Sequence, residues 1–397
     1  MCQNLWKIFG PQAEGVLEAI KNGVTKEQIL QDTGHVIAVR DVSFEVQEDE
    51  VFVIMGLSGS GKSTLLRCIN RLIEPTRGTV FIDGIDLAQL AEDELKELRR
   101  RKLSMVFQNF GLLPHRSVLE NVAFGLEVRG EGKKEREEKA LQALELVGLQ
   151  GWEKSHIQEL SGGMQQRVGL ARALAVGSEI LLMDEPFSAL DPLIRRQMQD
   201  EFLKLRSVVK RTVVFITHDL IEALKLGDHI AIMKDGEIVQ LGTPEEIVVC
   251  PANEYVKEFV KDVPRGKVIT AKAVMERPGL VVQDDQKLES VIREMQAREV
   301  TVAFVTDEAG RLKGAFSLEQ ALSASQNGLI QAGKLAEQSF PPTPPETPLE
   351  RCLPLVAEEE LPVAVVDPER RLLGVITRAS LLRALQSDDE KSESNNR

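Results

Sequence analysis

Nine consecutive residues carry the strongest chemical signal in the chain: Gly56, Leu57, Ser58, Gly59, Ser60, Gly61, Lys62, Ser63 and Thr64. Glycines this closely spaced let successive backbone N–H groups turn toward one centre, an arrangement that cradles phosphate oxygens. Lys62 would then reach the β- and γ-phosphates of a nucleotide, and the Ser63 hydroxyl would ligate Mg²⁺. The loop directly follows the apolar run Val51–Met55 and opens the helical pattern LLRCINRL, so a helix N-terminus adds partial positive charge at the same place. Downstream, ILLMDEP sets Asp184 and Glu185 at the end of another apolar run. Beside a phosphate loop, Asp184 is placed to hold the Mg²⁺ shell and Glu185 to polarise a water attacking the γ-phosphate.

A sheet must position these residues. Val51–Met55, Ile180–Met183, Val213–Thr217 and His229–Met233 are continuously apolar, as strands buried on both faces of a mostly parallel sheet are. Helical spacing over Glu135–Leu149 and Leu193–Val209 completes an α/β body over residues 31–263, preceded by a helical extension over residues 1–30. With 397 residues, 43% of them hydrophobic, the chain has room for two or three domains. No apolar run approaches the roughly 18 to 20 residues of a membrane-spanning helix, so a cytoplasmic protein is expected unless a partner holds it at a membrane. A net charge of −13 argues against non-specific nucleic-acid binding, and the run Arg99 to Lys102 reads as a solvated face. The four cysteines, Cys2, Cys68, Cys250 and Cys352, lie far apart and read as reduced structural thiols.

Further motifs in consistent order carry a family resemblance. LSGGMQQ from Leu160 to Gln166 looks like the ABC signature, Gln108 in VFQNFGLLPH resembles the Q-loop, SALD from Ser188 to Asp191 the D-loop, and His218 in FITHD the switch histidine. On these residues the chain is identified as a member of the ABC ATPases, which implies a P-loop nucleotide-binding domain with a helical subdomain over about residues 109–160 that docks a permease, Asn109 to His115 lying near the contact. The resemblance implies ATP and Mg²⁺ as ligands, Glu185 as general base, His218 as γ-phosphate sensor, and Gln108 as a metal ligand linking the site to the permease. It further implies a head-to-tail homodimer in which Ser161, Gly162, Gly163 and Gln165 of one subunit, with Asp191, complete the ATP site of the other. Many members place an aromatic residue at a set distance before the P-loop lysine to stack on adenine. Here that place holds Thr33, so a stacking partner is not expected.

Past residue 263 the texture changes. Asp307, Arg311, Leu312, Gly314 and Ser317 recur as Asp367, Arg371, Leu372, Gly374 and Thr377, an internal repeat that implies two similar packed units. PPTPPETP, from Pro341 to Pro348, lies in the connection leading into the second unit, and the acidic end over residues 388–397 is expected to be disordered. The units resemble a tandem CBS module over about residues 268–328 and 329–387, α+β in class. Together with the ABC body, the extension and the segments NRLIEPTRG and ALDPLIRRQMQDE, they make the chain similar to the ATP-binding subunit of glycine betaine/L-proline importers. That similarity implies permease subunits, a periplasmic or lipid-anchored solute-binding protein, a location at the cytoplasmic face of the membrane, and sensing of ions or a cyclic dinucleotide by the CBS pair. The acid that holds ribose in adenosine-binding CBS units is replaced here by Gln320 and Ser380, so weak or absent nucleotide binding is expected there. The alternatives are a CBS-regulated switch acting on partners other than a permease, or import of a different small solute.

Overall fold

The computed structural model describes residues 1–17, 24–108, 110–336, 342–358 and 361–385. The chain divides into two compact units, Met1–Val260 and Lys261–Arg397.

The first unit begins with β1 (Cys2–Phe9), β2 (Val36–Phe44), β3 (Val51–Met55), β4 (Arg77–Ile82), β5 (Ile85–Asp86) and β6 (Leu103–Val106). It continues with β7 (Ile180–Asp184), β8 (Thr212–Thr217), β9 (His229–Lys234) and β10 (Glu237–Gly242). Residues 1–30, expected as a helical extension, open instead with β1, which is central in an antiparallel sheet of order β2-β1-β4-β5. Further on, Ala13–Gly15 forms a 3-10 turn and Lys26–Thr33 a helix that opens with a Thr25–Gln28 capping box. Strand β1 escaped the sequence reading because its pairing with β2 and β4 shifts register several times, which breaks the simple alternation of inward and outward residues.

The larger sheet has the order β10-β9-β3-β8-β7-β6, and the five strands from β9 to the edge strand β6 run parallel. Every residue of β3 is buried, as its unbroken apolar sequence requires of a strand covered on both faces. In such a sheet, functional loops collect beyond the carboxyl ends of the strands. Four of them do so here: the glycine-rich loop follows β3, His218 follows β8, Asp184 ends β7 with Glu185 directly after it, and Gln108 follows β6.

A helical region follows β6. Its helices Val118–Val128 and Lys133–Leu146 pack with the helix Gly162–Ala175. Asn121, fully buried, pins the loop ahead of it by accepting from the Leu113 N–H at 2.7 Å and donating to the Leu113 carbonyl at 3.0 Å.

The second unit repeats itself. Strand β11 (Val281–Gln283) pairs parallel with β12 (Val302–Thr306), which pairs antiparallel with β13 (Leu312–Ser317). In the second half, β14 (Val363–Val366) pairs antiparallel with β15 (Leu372–Ile376), while Thr343 bridges Val365 in the parallel sense, in the place β11 takes in the first half. The proline-rich connection thus supplies an extended edge, as residues unable to donate within a helix must. Pro341, Asn109 and the acidic end over residues 388–397 lie outside the described residues. Among the described residues, no helix is long and apolar enough to cross a membrane.

Candidate functional site

The glycine-rich loop turns on backbone conformations closed to other residues. Gly61 has φ +100°, and a Cβ there would overlap the Ala38 carbonyl oxygen. The helix Lys62–Ile69 starts at once, and it buries the Lys62 stem at 4% exposure. Lys62 Nζ donates to the Gly56 and Leu57 carbonyls at 2.8 and 2.9 Å and stands 4.0 Å from Glu185 Oε1. Burial lowers its pKa, against the upward pull of the Glu185 and Asp184 charges. An incoming phosphate would add a directly bonded anion to this desolvated ammonium, whose nearest carboxylate stands 4.0 Å away. The Ser60 hydroxyl in the same loop is buried without a hydrogen-bond partner among the described residues.

Asp184, 2% exposed, accepts a 2.8 Å hydrogen bond from Ser63 Oγ and lies 3.7 Å from Arg67. A serine hydroxyl, a carboxylate and the nearby Gln108 amide are oxygen donors of the kind a hard cation takes, few enough to leave Mg²⁺ its phosphate and water ligands. They fit that ion. Glu185 is held with φ +46°, a conformation that costs a non-glycine residue about 1 kcal/mol or more and that aims its side chain at the pocket. Its Oε2 lies 3.0 Å from His218 Nδ1. A carboxylate oriented by an imidazole can take a proton from a water, and the imidazole can follow the charge that develops.

One cavity of about 640 Å³ is lined by Leu57, Ser58, Gly59, Gly61, Lys62, Ser63, Thr64, Gln108, Glu185 and His218 together with Phe9, Lys26, Val36, Ile37 and Ala38, with Asp184 behind Ser63 through their hydrogen bond. Phe9 and Lys26 escaped the sequence reading. Phe9 ends β1 and is cross-strand partner to Val36 of β2, so a segment inserted between them removes the aromatic from its expected spacing without removing it from the pocket. The absence of an aromatic inferred from Thr33 is therefore corrected. Thr33 itself donates its hydroxyl to the Ile29 carbonyl at 2.6 Å, ending the inserted helix. The short run LWKIF before Gly10 was the available signal of a strand, not of its place at the pocket.

The cavity does not include Ser161, Gly162, Gly163, Gln165 or Asp191. Ser161, exposed, caps the helix Gly162–Ala175 by accepting from the Met164 N–H, which leaves the two glycines in its open first turn. Gln165 is occupied within its own chain, donating to the Ile157 and Leu160 carbonyls at 3.1 and 3.2 Å. Asp191 caps the helix Pro192–Val208 through the Leu193 and Ile194 N–H groups, each at 3.1 Å. Arg172 of the signature helix donates to the Phe110 and Gly111 carbonyls, both at 2.7 Å, and so ties that helix to the loop that carries Gln108.

In the second unit, Gln320 and Ser380 close helix caps. Ser317 N–H donates to Gln320 Oε1 at 2.8 Å, and Thr377 N–H to Ser380 Oγ at 3.1 Å. Both side chains are spent on their own backbone at the positions where a ribose-holding acid was sought.

Residues 39–188 match the family described as ABC transporter, and residues 271–327 and 333–387 match the CBS domain. The sequence is 48% identical over 384 residues to the glycine betaine transport ATP-binding protein OpuAA of Bacillus subtilis (strain 168), covering 97% of this chain and 91% of that one. It is 47% identical over 394 residues to the glycine betaine/proline betaine transport system ATP-binding protein ProV of Escherichia coli (strain K12), covering 97% of each. The fold is similar, with a TM-score of 0.52 and 35% identity, to a dimeric ATP-binding cassette in a post-hydrolysis state bound to ADP and Pi, covering 61% of this chain and 97% of the other.

Proposed function

The chain belongs to the ABC-type ATP-binding subunits of glycine betaine transport systems, and we propose that the side chains gathered at its glycine-rich loop hydrolyse ATP to drive import of glycine betaine, proline or a related quaternary amine through a separate permease. The observation that carries this reading is the convergence of Lys62, Ser63, Asp184, Glu185, Gln108 and His218 beyond the ends of four adjacent parallel strands.

Lys62 and the loop N–H groups bind the β- and γ-phosphates. Glu185 takes a proton from the water whose oxygen attacks the γ-phosphorus; the bond to the bridging oxygen breaks, and ADP leaves with that electron pair. His218 orients Glu185 and senses the γ-phosphate. Ser63, Asp184 and Gln108 would hold Mg²⁺, which supplies charge neutralisation on the phosphates. Two copies of the chain face each other head to tail, so that Ser161, Gly162 and Gly163 of one copy reach the γ-phosphate held by the other, with Gln165 and Asp191 bracing that interface. The position of these residues outside the chain's own pocket supports such a composite site. The subunit then works at the cytoplasmic face of the membrane, with the permease contacting the helical region near the Gln108 loop. The CBS pair acts as a regulator that reads ions or a cyclic dinucleotide and binds AMP or ATP weakly at most.

The test is ATP hydrolysis by the subunit reconstituted in liposomes with its permease and solute-binding protein, with and without glycine betaine, at low and high internal salt. Turnover stimulated by betaine and raised by salt is expected. Turnover indifferent to betaine would overturn the assigned solute while leaving the ATPase standing.

A further inference from the structure

The segment between β1 and β2 brings a cation to the nucleotide pocket that none of the motifs above accounts for. Its helix Lys26–Thr33 is fastened by Ile29, 2% exposed, which packs with Ile8 of β1 and Ile37 of β2. This anchoring sets Lys26, the first residue of the helix, on the pocket wall beside Phe9, Gly59 and Lys62. A lysine at that position opposes the helix dipole, whose N-terminal end favours negative charge, so the helix itself gains nothing from it. The ion pair it makes among the described residues is loose, with Nζ 3.8 Å from Asp235 Oδ1, and the Asp235 side chain is 66% exposed. Asp235 belongs to the turn after β9, where the Gly236 N–H donates to the Ser60 carbonyl at 3.1 Å. Lys26 therefore lines the same cavity as the glycine-rich loop, and its loose partner Asp235 sits in a turn hydrogen-bonded to that loop.

We propose that Lys26 is a second phosphate-binding lysine of this site, contacting the triphosphate of the bound nucleotide from the inserted helix. The proposal rests on the reading of the pocket as an ATP site. A flexible ammonium suits it, because it meets a phosphate oxygen as a point charge and needs no fixed fork geometry. A contact of this kind, partly exposed, weakens binding by about five- to tenfold when the charge is removed.

The experiment is calorimetric titration of the full chain with ATP and, separately, with inorganic tripolyphosphate, for the unsubstituted protein and for Lys26→Gln, Lys26→Arg, Asp235→Asn and Lys62→Ala. Lys26→Gln should weaken both ligands by that factor, and Lys26→Arg should restore them. Asp235→Asn should leave both unchanged or tighten them, since it frees the Lys26 charge. Unchanged affinities in Lys26→Gln would overturn the proposal. So would an equal loss in Asp235→Asn, which would mean that the pair only fastens the helix, or a loss confined to ATP with tripolyphosphate unaffected. If the unsubstituted protein bound neither ligand, the ATP-site reading would fall first, an outcome distinct from a selective failure at Lys26.

Discussion

Replacing Phe9 by alanine isolates the contribution of the base from that of the phosphates. The ring stands at the end of β1, 41% exposed, and Lys7 Nζ sits over one face at 5.0 Å from its centroid. What remains open is a π surface on the wall of the pocket that holds Lys62. Stacking a base on an aromatic side chain is worth about 1–3 kcal/mol by alanine substitution, so a middle value of ~2 kcal/mol weakens ATP binding by about 30-fold. Little of this should appear as lost stability, because the ring is half exposed and alanine keeps the backbone pairing with Val36. The assay is calorimetric titration of the full chain with ATP, GTP and inorganic tripolyphosphate. Phe9→Ala should weaken both nucleotides and leave tripolyphosphate unchanged, and Phe9→Trp should restore binding. An unaltered ATP affinity in a folded Phe9→Ala protein, or an equal loss for tripolyphosphate, would refute the assignment of this ring to the base.

Glu185→Gln should lower turnover by about 10²- to 10⁴-fold and accumulate an ATP-bound dimer, detectable by size-exclusion chromatography with ATP present; undiminished turnover would remove Glu185 from the role of base. Glu222 is 5% exposed, and burial holds its carboxyl above the ordinary 4.5. In the window just above pH 4.5 the folded chain keeps a proton that the unfolded chain has lost, so stability falls as pH rises through it. Glu222→Gln should therefore raise the melting temperature at neutral pH, with a gain that shrinks toward pH 4; a gain that does not depend on pH would contradict this origin. Lys62→Ala should abolish measurable nucleotide binding by the whole chain, and tight residual AMP or ATP binding would locate a second site in the CBS pair.

The parallel sheet was legible because both-sided burial leaves a pattern that cannot be mistaken for a half-exposed strand: β3, β7, β8 and β9 each coincide with a continuous apolar run. Its glycine-rich loop was legible because the groups are local: Gly61, Lys62 and Ser63 are neighbours in sequence and line one cavity. Asp184 and Glu185 needed the fold to bring them near, since β7 stands one strand away from β3 with β8 between them. What sequence spacing could not reveal is any group whose place depends on pairing across an insertion. Phe9 and Lys26 reach the pocket because β1 and β2 are hydrogen-bonded neighbours, and residue separation carries no trace of that. The strand β1 was hidden for a related reason, since its register shifts scatter the buried residues Cys2, Leu5 and Ile8 off a period of two.

The pairing of Phe9 with Val36 has an implication for how this subunit can change length. The two ends of the intervening segment are held together by the ladder itself, so extra residues there enlarge a loop whose closure is already secured. Each doubling of such a loop costs only about 0.6 kcal/mol in chain entropy. The junction between β1 and β2 is therefore a permissive port: it can accept whole helices, by evolution or by insertion of a reporter peptide, while the aromatic ring and the phosphate loop keep their relative positions.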